Sequence, residues 1–313
     1  MKVVIPGGSG QVGSVLARAF QRDGHDVTVL SRSFASNDWK TVLWDAKTLG
    51  DWAREIDGSD VVINLAGRSV NCRYNDENRR EIMDSRIFST NVVGEAIASA
   101  SSPPPVWLQA STATIYEHRF DAPNDDDTGI IGGNDPDVPD TWRFSIDVAK
   151  AWEMAANDVP TPQTRKVLMR SALTLSPDRG GIFDVLLGLV RKGLGGTAGS
   201  GKQYISWVHD LDFIRSVYWL IENETLSGPI NIASPEPLPN REFMRILRKA
   251  VGFPFGIPAM EWQLAIGAVL MRSETELILK SRRVVPSRLL DSGFEFKFPH
   301  WADAAKDLVE RWR

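Results

Sequence analysis

Three glycines near the start of the chain have the spacing that a phosphate-binding turn requires. Gly7, Gly10 and Gly13 follow the apolar run Val3–Ile5 and precede a segment with helical periodicity. In such a turn the first glycine permits a tight bend, the second lets a pyrophosphate approach the backbone, and the third lets the helix pack on the strand. N–H groups at the start of the helix face the anion. The sequence therefore predicts a dinucleotide-binding turn of the Rossmann type, with a purely structural turn as the alternative. The predicted cofactor contacts in it are Gly7, Ser9, Gly10, Gln11, Val12 and Gly13.

The residues that follow the second predicted strand indicate which dinucleotide binds. NAD-specific proteins usually place Asp or Glu here, against the ribose hydroxyls, whereas this chain has Ser31, Arg32 and Ser33. A carboxylate would repel a 2′-phosphate, while the Arg32 guanidinium can donate charge-assisted hydrogen bonds to it. We therefore expect NADP(H) to be preferred over NAD(H). The alternative is an arginine that is simply solvated at the surface.

Two further segments end predicted strands where a ligand would lie. Asp45 follows the third strand, in a position to line the adenine, and Leu65, Ala66 and Gly67 follow the fourth. Open α/β sheets bind ligands at the carboxyl edge of their strands. These residues therefore extend the predicted cofactor site along one edge of the sheet.

Short apolar runs alternate with helical periodicity through the first two hundred residues, which predicts an α/β fold with a doubly wound parallel sheet. Helices are predicted at Gln11–Arg22 and Asn75–Ala100, and Phe255–Met271 is interpreted as an amphipathic core helix. The stretch Asp121–Asp140 has no periodicity and is predicted to be a surface loop that gates or walls the site. The predicted strands are Val3–Ile5, Asp26–Leu30, Val42–Trp44, Val61–Asn64, Val106–Ala110 and Val167–Arg170.

The chain is expected to form two units. Residues 1–170 make the Rossmann domain, to which 203–228 return, and residues 171–202 with 229–313 make a smaller, mainly helical substrate lobe. This division follows the change after Ile232, where strands become rare and helices dominate.

Composition excludes several classes of function. The net charge of −4 and the pI of about 5.7 argue against nucleic-acid binding, and the N-terminus lacks the apolar stretch of a secretory signal. Phe255–Met271 is interrupted by Pro258 and Glu261 and is too short for a membrane span. The single cysteine, Cys72, fits a reducing compartment. We therefore expect a cytoplasmic monomer or homodimer that acts on a small molecule, with no metal site.

Four motifs occur in a fixed order along the chain, at Gly7–Gly13, Asn64–Gly67, Asn91–Gly94 and Ala110–Tyr116. In this order they resemble the extended (atypical) short-chain dehydrogenase/reductase superfamily. The chain is more closely similar to an epimerase-like subgroup labelled as SulA-like cell-division-inhibitor homologues, which has an uncharacterised C-terminal extension. The segments that carry this similarity are Asp84–Ile87, Ala151–Glu153, Gly193–Gly196, Gly199–Gly201, Ser206–His209, Arg283–Leu290 and Gly293–Phe296.

The resemblance implies further site residues. Asn91, Ser111 and Lys150 are expected to contact the cofactor, and Thr112 stands where the superfamily has the hydroxyl that polarises the substrate oxygen. Superfamily members also place a tyrosine four residues before the lysine, and here that position is Ile146. Because isoleucine cannot exchange a proton, the catalytic set is reduced to Thr112 and Lys150.

Three residues are candidates for substrate contact: Tyr116, Trp207 and His209. Each has a structural alternative, since a tyrosine at this position is often structural in the superfamily and a histidine beside a tryptophan is often a packing residue. Two hypotheses follow. The first is an NADP(H)-dependent oxidoreductase or epimerase-like enzyme on a small polar substrate, and the alternative is a non-catalytic dinucleotide-binding protein with a regulatory or redox-sensing role.

Overall fold

A seven-stranded, fully parallel sheet forms the centre of the molecule, in the order β3-β2-β1-β4-β5-β6-β10. The computed structural model describes residues 1–34, 37–134, 138–270 and 274–312. The first six strands have the order of a Rossmann sheet, with its switch point between β1 and β4, which confirms the predicted fold class. The strands of this sheet are β1 (Lys2–Pro6), β2 (Asp26–Ser31), β3 (Lys40–Leu43), β4 (Val61–Asn64), β5 (Val106–Thr112), β6 (Arg165–Ser171) and β10 (Gly228–Ile232).

Helices cover both faces of this sheet, which is why its central strands are apolar on both sides. On one face Leu16 and Phe20 share a core with Phe213, and on the other Val93 packs with Ala156. Asn75 begins the second helix as predicted, because its side chain accepts a hydrogen bond from Asn78 N at 2.8 Å. The helices of these layers are α1 (Gln11–Arg22) and α5 (Asp210–Glu222), opposite α2 (Asp76–Ser99) and α3 (Asp140–Asp158).

A smaller lobe has its own apolar core, in which Phe243 stacks on Trp301 with ring centroids 4.1 Å apart. Its helices are α4 (Ile182–Arg191), α6 (Asn240–Val251), α7 (Glu261–Leu270), α8 (Glu276–Leu279) and α10 (Trp301–Arg311), whereas α9 (Ser287–Asp291) packs on β10 of the main sheet. Its short strands are β7 (Leu173–Leu175) with β9 (Trp207–His209), and β8 (Tyr204–Ile205) with β11 (Leu238–Pro239).

The chain returns to the main sheet after the smaller lobe has begun. Helix α5 packs on α1, with Tyr218 4.6 Å from the Phe20 ring, and β10 adds the seventh strand, which the sequence analysis did not assign. Leu289 and Phe294 then pack in the same core. The return therefore continues past the predicted segment 203–228.

The predicted core helix over Phe255–Met271 is wrong. The helix begins only at Glu261, and Phe255 and Trp262 are 58% and 61% exposed, while Met271 lies outside the described residues. The preceding backbone is extended because it pairs with the glycine-rich loop after α4: Ile257 N donates to Gly193 O at 2.8 Å. Every helix in the described ranges is too short or too polar to cross a bilayer.

Candidate functional site

The glycine turn after β1 has the close approaches that a phosphate-binding loop needs. Gly7 has a φ of +75°, and a Cβ on it would lie 2.5 Å from Ala66 Cα. A Cβ on Gly13 would lie 2.4 Å from Gly8 Cα, so the helix packs tightly on the turn itself. Gly10, by contrast, would meet only Gly7 O at 3.7 Å. The backbone is therefore open at the position where a pyrophosphate would approach.

Gln11 shows that this turn fits a phosphate. Gly10 begins α1 without a side-chain cap, and the buried Nε2 of Gln11 has no hydrogen-bond partner among the described residues. A buried donor left without an acceptor costs about 1–3 kcal/mol, which a ligand oxygen would offset. The Gln11 amide lies over Gly181, since a Cβ there would be 2.0 Å from Nε2. Gly181 is the N-cap of α4, so the starts of α1 and α4 converge at this side chain.

The end of β2 presents hydroxyls and a cation. Ser31 is buried and donates to Ser9 Oγ at 3.1 Å, while Ser33 N donates to Ser31 Oγ at 3.3 Å. Arg32 lies exposed beside them. A serine pair therefore joins the strand end to the glycine turn, and the guanidinium remains accessible to a ligand phosphate.

Asp45 stabilises a tight turn through its side chain, a role that the sequence did not indicate. Its carboxylate accepts from Thr48 Oγ1 at 2.6 Å, Thr48 N at 2.9 Å and Lys47 N at 2.8 Å, and these bonds lower its pKa to about 2. The turn that they close contains Ala46, whose φ is +62°. A contact between Asp45 and the adenine stays a prediction.

The end of β4 lies directly against the glycine turn. Leu65 N donates to Pro6 O at 2.8 Å, and Ala66 N donates to Asn64 Oδ1 at 3.1 Å. Gly67 follows and is exposed. These bonds place the predicted residues of β1 and β4 side by side at the switch point of the sheet. Asn91 lies exposed on α2, and its predicted cofactor contact is untested.

Ile146, at the position of the superfamily's tyrosine, is buried in the protein. It is 1% exposed, and a Cβ on Gly132 would lie 2.9 Å from its Cδ1. One helical turn later, Lys150 Nζ lies 3.1 Å from the position of a Cβ on Gly133. Thr112 Oγ1 accepts from Thr114 N at 3.2 Å and caps the short turn Ala113–Ile115. Lys150 is therefore one helical turn from a side chain that has no proton to give.

Tyr116 is part of a buried polar network, and its predicted substrate contact stays a prediction. It is 2% exposed, its hydroxyl donates to Asn231 Oδ1 at 2.9 Å, and it accepts from Arg170 Nη1 at 3.0 Å. Arg170 binds both oxygens of Glu153 at 2.8 Å. Ser111 also donates to Glu153, at 2.6 Å. The hydroxyl of Ser111 is thus engaged in this network, and its cofactor contact also stays a prediction.

Trp207 and His209 lie in the core of the smaller lobe, and their predicted substrate contacts stay predictions. Both are fully buried. Trp207 packs on Trp301 at 5.0 Å, and His209 stacks on Phe298 at 3.9 Å. His209 Nε2 lies 2.9 Å from Asp307 Oδ2, and burial lowers the pKa of this histidine to about 4. A neutral, stacked imidazole here stabilises the lobe.

The loop predicted over Asp121–Asp140 is anchored to the C-terminal segment. Asn124 N donates to Arg283 O at 2.6 Å, and Val285 N donates back to Asn124 O at 3.0 Å. Asp126 accepts from Asn231 N at 2.5 Å. Residues 135–137 lie outside the described residues. In its described part the loop is fixed to the C-terminal segment, and its role as a wall or gate of the site stays a prediction.

The sequence analysis missed two cations from the C-terminal segment that bind the turn after Thr112. Lys280 Nζ donates to Thr114 O at 2.6 Å, and Arg282 Nε donates to Thr114 Oγ1 at 2.9 Å. Arg282 also pairs with Glu276. Lys280 is 2% exposed, and burial, followed by the charge of Arg282, lowers its pKa to about 7. No periodicity or motif in this segment indicated that it reaches the site.

Comparison with known proteins matches the two parts of the chain separately. Residues 3–233 match the NAD dependent epimerase/dehydratase family, and residues 263–308 match a domain of unknown function, DUF1731. Epimerase family protein SDR39U1 of Bos taurus is 31% identical, over 99% of this chain and 100% of its own.

Two solved structures support the same assignment. Human epimerase family protein SDR39U1 (isoform 2), crystallised with NADPH, has a TM-score of 0.86 at 29% identity and covers 99% of this chain and 100% of its own. A nucleoside-diphosphate sugar epimerase from Corynebacterium glutamicum has a TM-score of 0.75 at 27% identity, over 98% of this chain and 57% of its own. The names of these relatives carry the epimerase label, and the cell-division-inhibitor label has no support among them. The chain belongs to the NAD dependent epimerase/dehydratase family and carries a DUF1731 domain over residues 263–308.

Proposed function

We propose that the protein is an NADP(H)-dependent oxidoreductase or epimerase-like enzyme that acts on a carbonyl or hydroxyl group of a small polar substrate. The observation that carries this proposal is the glycine turn with its orphaned Gln11 donor, next to a β2 end that has Arg32 in place of an acid. The related human protein crystallised with NADPH supports the choice of cofactor.

Each part of the dinucleotide has residues that fit it. The open backbone at Gly10 and the first amides of α1 would hold the pyrophosphate. Arg32 and Ser33 would bind the 2′-phosphate, and Lys150 would donate to the nicotinamide ribose. The segment Ser31-Arg32-Ser33 contains no acidic residue that would repel the 2′-phosphate.

Thr112 is suited to polarise a substrate oxygen. Its Oγ1 accepts a hydrogen bond from Thr114 N, which leaves its own proton available to donate. When bound, NADPH supplies a hydride to the carbon of the substrate carbonyl. The proton that the oxygen gains comes from a group other than Ile146, whose aliphatic side chain has none.

Calorimetric titration with NADPH and NADH tests the cofactor assignment. Arg32→Ala should weaken NADPH binding by about 10- to 100-fold, the loss expected for a charge-assisted hydrogen bond of about 1.5–3 kcal/mol, and should leave NADH nearly unchanged. Arg54→Ala is the matched control, since Arg54 is an exposed arginine paired with Asp51 outside the site. Equal weakening of both cofactors by Arg32→Ala would refute the role of Arg32, and an unmodified protein that binds neither would refute the proposal.

A non-catalytic role in regulation is the second candidate, favoured by the burial of Ile146 where a proton donor is expected. The two candidates separate on turnover. A screen of aldehydes, ketones and nucleotide sugars with NADPH or NADP⁺ should give turnover that Thr112→Ala abolishes if the protein is an enzyme. Tight NADPH binding without turnover across the screen would favour the regulatory role.

A further inference from the structure

Arg86 on α2 is a half-buried cation next to the edge of the sheet at which the cofactor is proposed to bind. A Cβ on Gly67 would lie 3.3 Å from both its Cγ and its Cζ. Gly67 continues from Ala66, whose backbone touches Gly7 of the phosphate-binding turn. Contacts thus run without a break from the turn to the guanidinium.

Among the described residues Arg86 has no acidic partner, unlike two neighbouring arginines. Arg68 pairs with Glu81, and Arg79 pairs with Asp140. Within the described part of the chain, Arg86 has no carboxylate within ion-pair distance: it donates through Nη1 to Arg68 O and Ile82 O, both at 3.0 Å. Its Cζ lies 4.8 Å from the Trp152 ring, which shields one face.

For a half-buried cation without an anion, two carbonyls and an aromatic face compensate the lost hydration only in part. Burial lowers the pKa of Arg86 to about 10, and the neighbouring groups that raise it are Tyr74 and Cys72, neither of which is a carboxylate. A guanidinium has five N–H donors, so further donors remain beyond the Nη1 bonds. Because the side chain is half-buried, these donors are accessible to a ligand anion.

We propose that Arg86 is a positioning residue for the nicotinamide half of the dinucleotide: its charge, acting beside Gly67, attracts the phosphate on the nicotinamide side. This inference rests on the proposed function. The phosphate is favoured over an anionic substrate because the chain of contacts from Arg86 leads through Gly67 and Ala66 to the phosphate turn. Arg32 would hold the adenosine half, at the opposite end of the cofactor, so the two arginines have separable effects.

Titrations with two probes distinguish the halves. NADPH contains both, and 2′,5′-ADP contains only the adenosine half with its 2′-phosphate. Arg86→Met should weaken NADPH by about 10- to 100-fold and leave 2′,5′-ADP within about 2-fold, since a charged contact is worth about 1.5–3 kcal/mol. Arg32→Ala should weaken both probes. Arg80→Met, at an exposed arginine of the same helix, is the matched control and should weaken neither.

Two further variants keep the test valid if Arg86→Met does not fold. Arg86→Lys retains a charge but loses the planar donor fork, so it should fall between the unmodified protein and Arg86→Met. Gly67→Ala keeps the arginine but places a Cβ 3.3 Å from its Cγ and Cζ, which shifts the guanidinium by a few tenths of an ångström, and it should also weaken NADPH selectively. The salt dependence of NADPH binding should become shallower in Arg86→Met and stay nearly unchanged in Arg86→Lys, which keeps the charge.

The outcomes separate this inference from the proposed function. If the unmodified protein binds neither probe, the proposed function fails. If it binds both and the Arg86 and Gly67 variants keep the NADPH affinity, or lose both probes equally, the proposed function stands and the role of Arg86 is refuted.

Discussion

Lys280 makes the stability of this protein depend on pH in a window where few other groups titrate. Burial, with the charge of Arg282 and against that of Glu276, lowers its pKa from 10.5 to about 7. The folded chain therefore binds fewer protons than the unfolded chain between these two values. Stability must rise with pH across that window, and below pH 7 the full cost of charging the buried amine is present.

The magnitude follows from the two pKa values. At about 1.4 kcal/mol per pH unit, the difference between 10.5 and about 7 amounts to roughly 5 kcal/mol as an upper limit. Between pH 7 and 9.5, the accessible part is roughly 3 kcal/mol. Lys280→Met removes the titrating group, so its free energy of unfolding should lack this rise. Lys280→Met should thus cost more stability at pH 9.5 than at pH 7.

Urea unfolding at pH 7, 8, 9 and 9.5, followed by tryptophan fluorescence, measures this directly. The useful quantity is the difference in free energy of unfolding between the unmodified protein and Lys280→Met, because all other titrations cancel in it. Lys202→Met is the matched control, since Lys202 is exposed. A difference for Lys280→Met that stays constant across this range, like that of the control, would refute the argument.

Three other predictions concern the glycine turn and two buried polar groups. Tyr116→Phe should lower the free energy of unfolding by about 1–3 kcal/mol, because Asn231 and Arg170 lose a buried partner. In the calorimetric titrations it should leave the NADPH affinity unchanged. A loss of affinity at full stability would instead place Tyr116 in the site. Gly13→Ala should abolish NADPH binding or folding, because its Cβ would lie 2.4 Å from Gly8 Cα, and a stable variant with normal affinity would contradict that packing. The pKa of His209 is lowered from 6.5 to about 4, so the free energy of unfolding should fall by roughly 3 kcal/mol at most as the pH drops through this window. His209→Gln cannot become charged, so its stability should fall less steeply in acid unfolding. An acid-unfolding curve identical to that of the unmodified protein would contradict this prediction.

The features that could be predicted from the sequence are those set by local patterns. Helix α1 occupies Gln11–Arg22 as predicted, because its apolar spacing and the glycines before it both act within a few residues. Asn75 caps α2 through a bond only three residues along the chain. The alternation of apolar runs and helices gave the fold class for the same reason, since each βα unit carries its own pattern.

The features that could not be predicted depend on partners far along the chain. Tyr116 bonds Asn231, 115 residues away, and His209 bonds Asp307, 98 residues away. The residue type indicates that a tyrosine or histidine can take part in binding or catalysis. Whether its side chain is accessible to a ligand depends on packing by elements far along the chain. The prediction of a core helix over Phe255–Met271 was wrong for a related reason. The backbone of the segment before α7 is hydrogen-bonded to the loop at Gly193, a distant partner that the local pattern does not reveal.

The site that results combines a well-formed cofactor turn with an incomplete set of proton-exchanging groups. Tyr74 is a phenol near α3, with its hydroxyl 3.5 Å from Ser145 Oγ, but burial raises its pKa to about 12, which makes it a poorer acid than free tyrosine. Lys280 has the opposite shift, and it binds the turn that Thr112 caps. If turnover is found, a pH profile of kcat/KM that moves in Lys280→Met and not in Tyr74→Phe would therefore identify the DUF1731 segment as a contributor to the chemistry. Profiles that stay unchanged in both variants would exclude both side chains as the proton source.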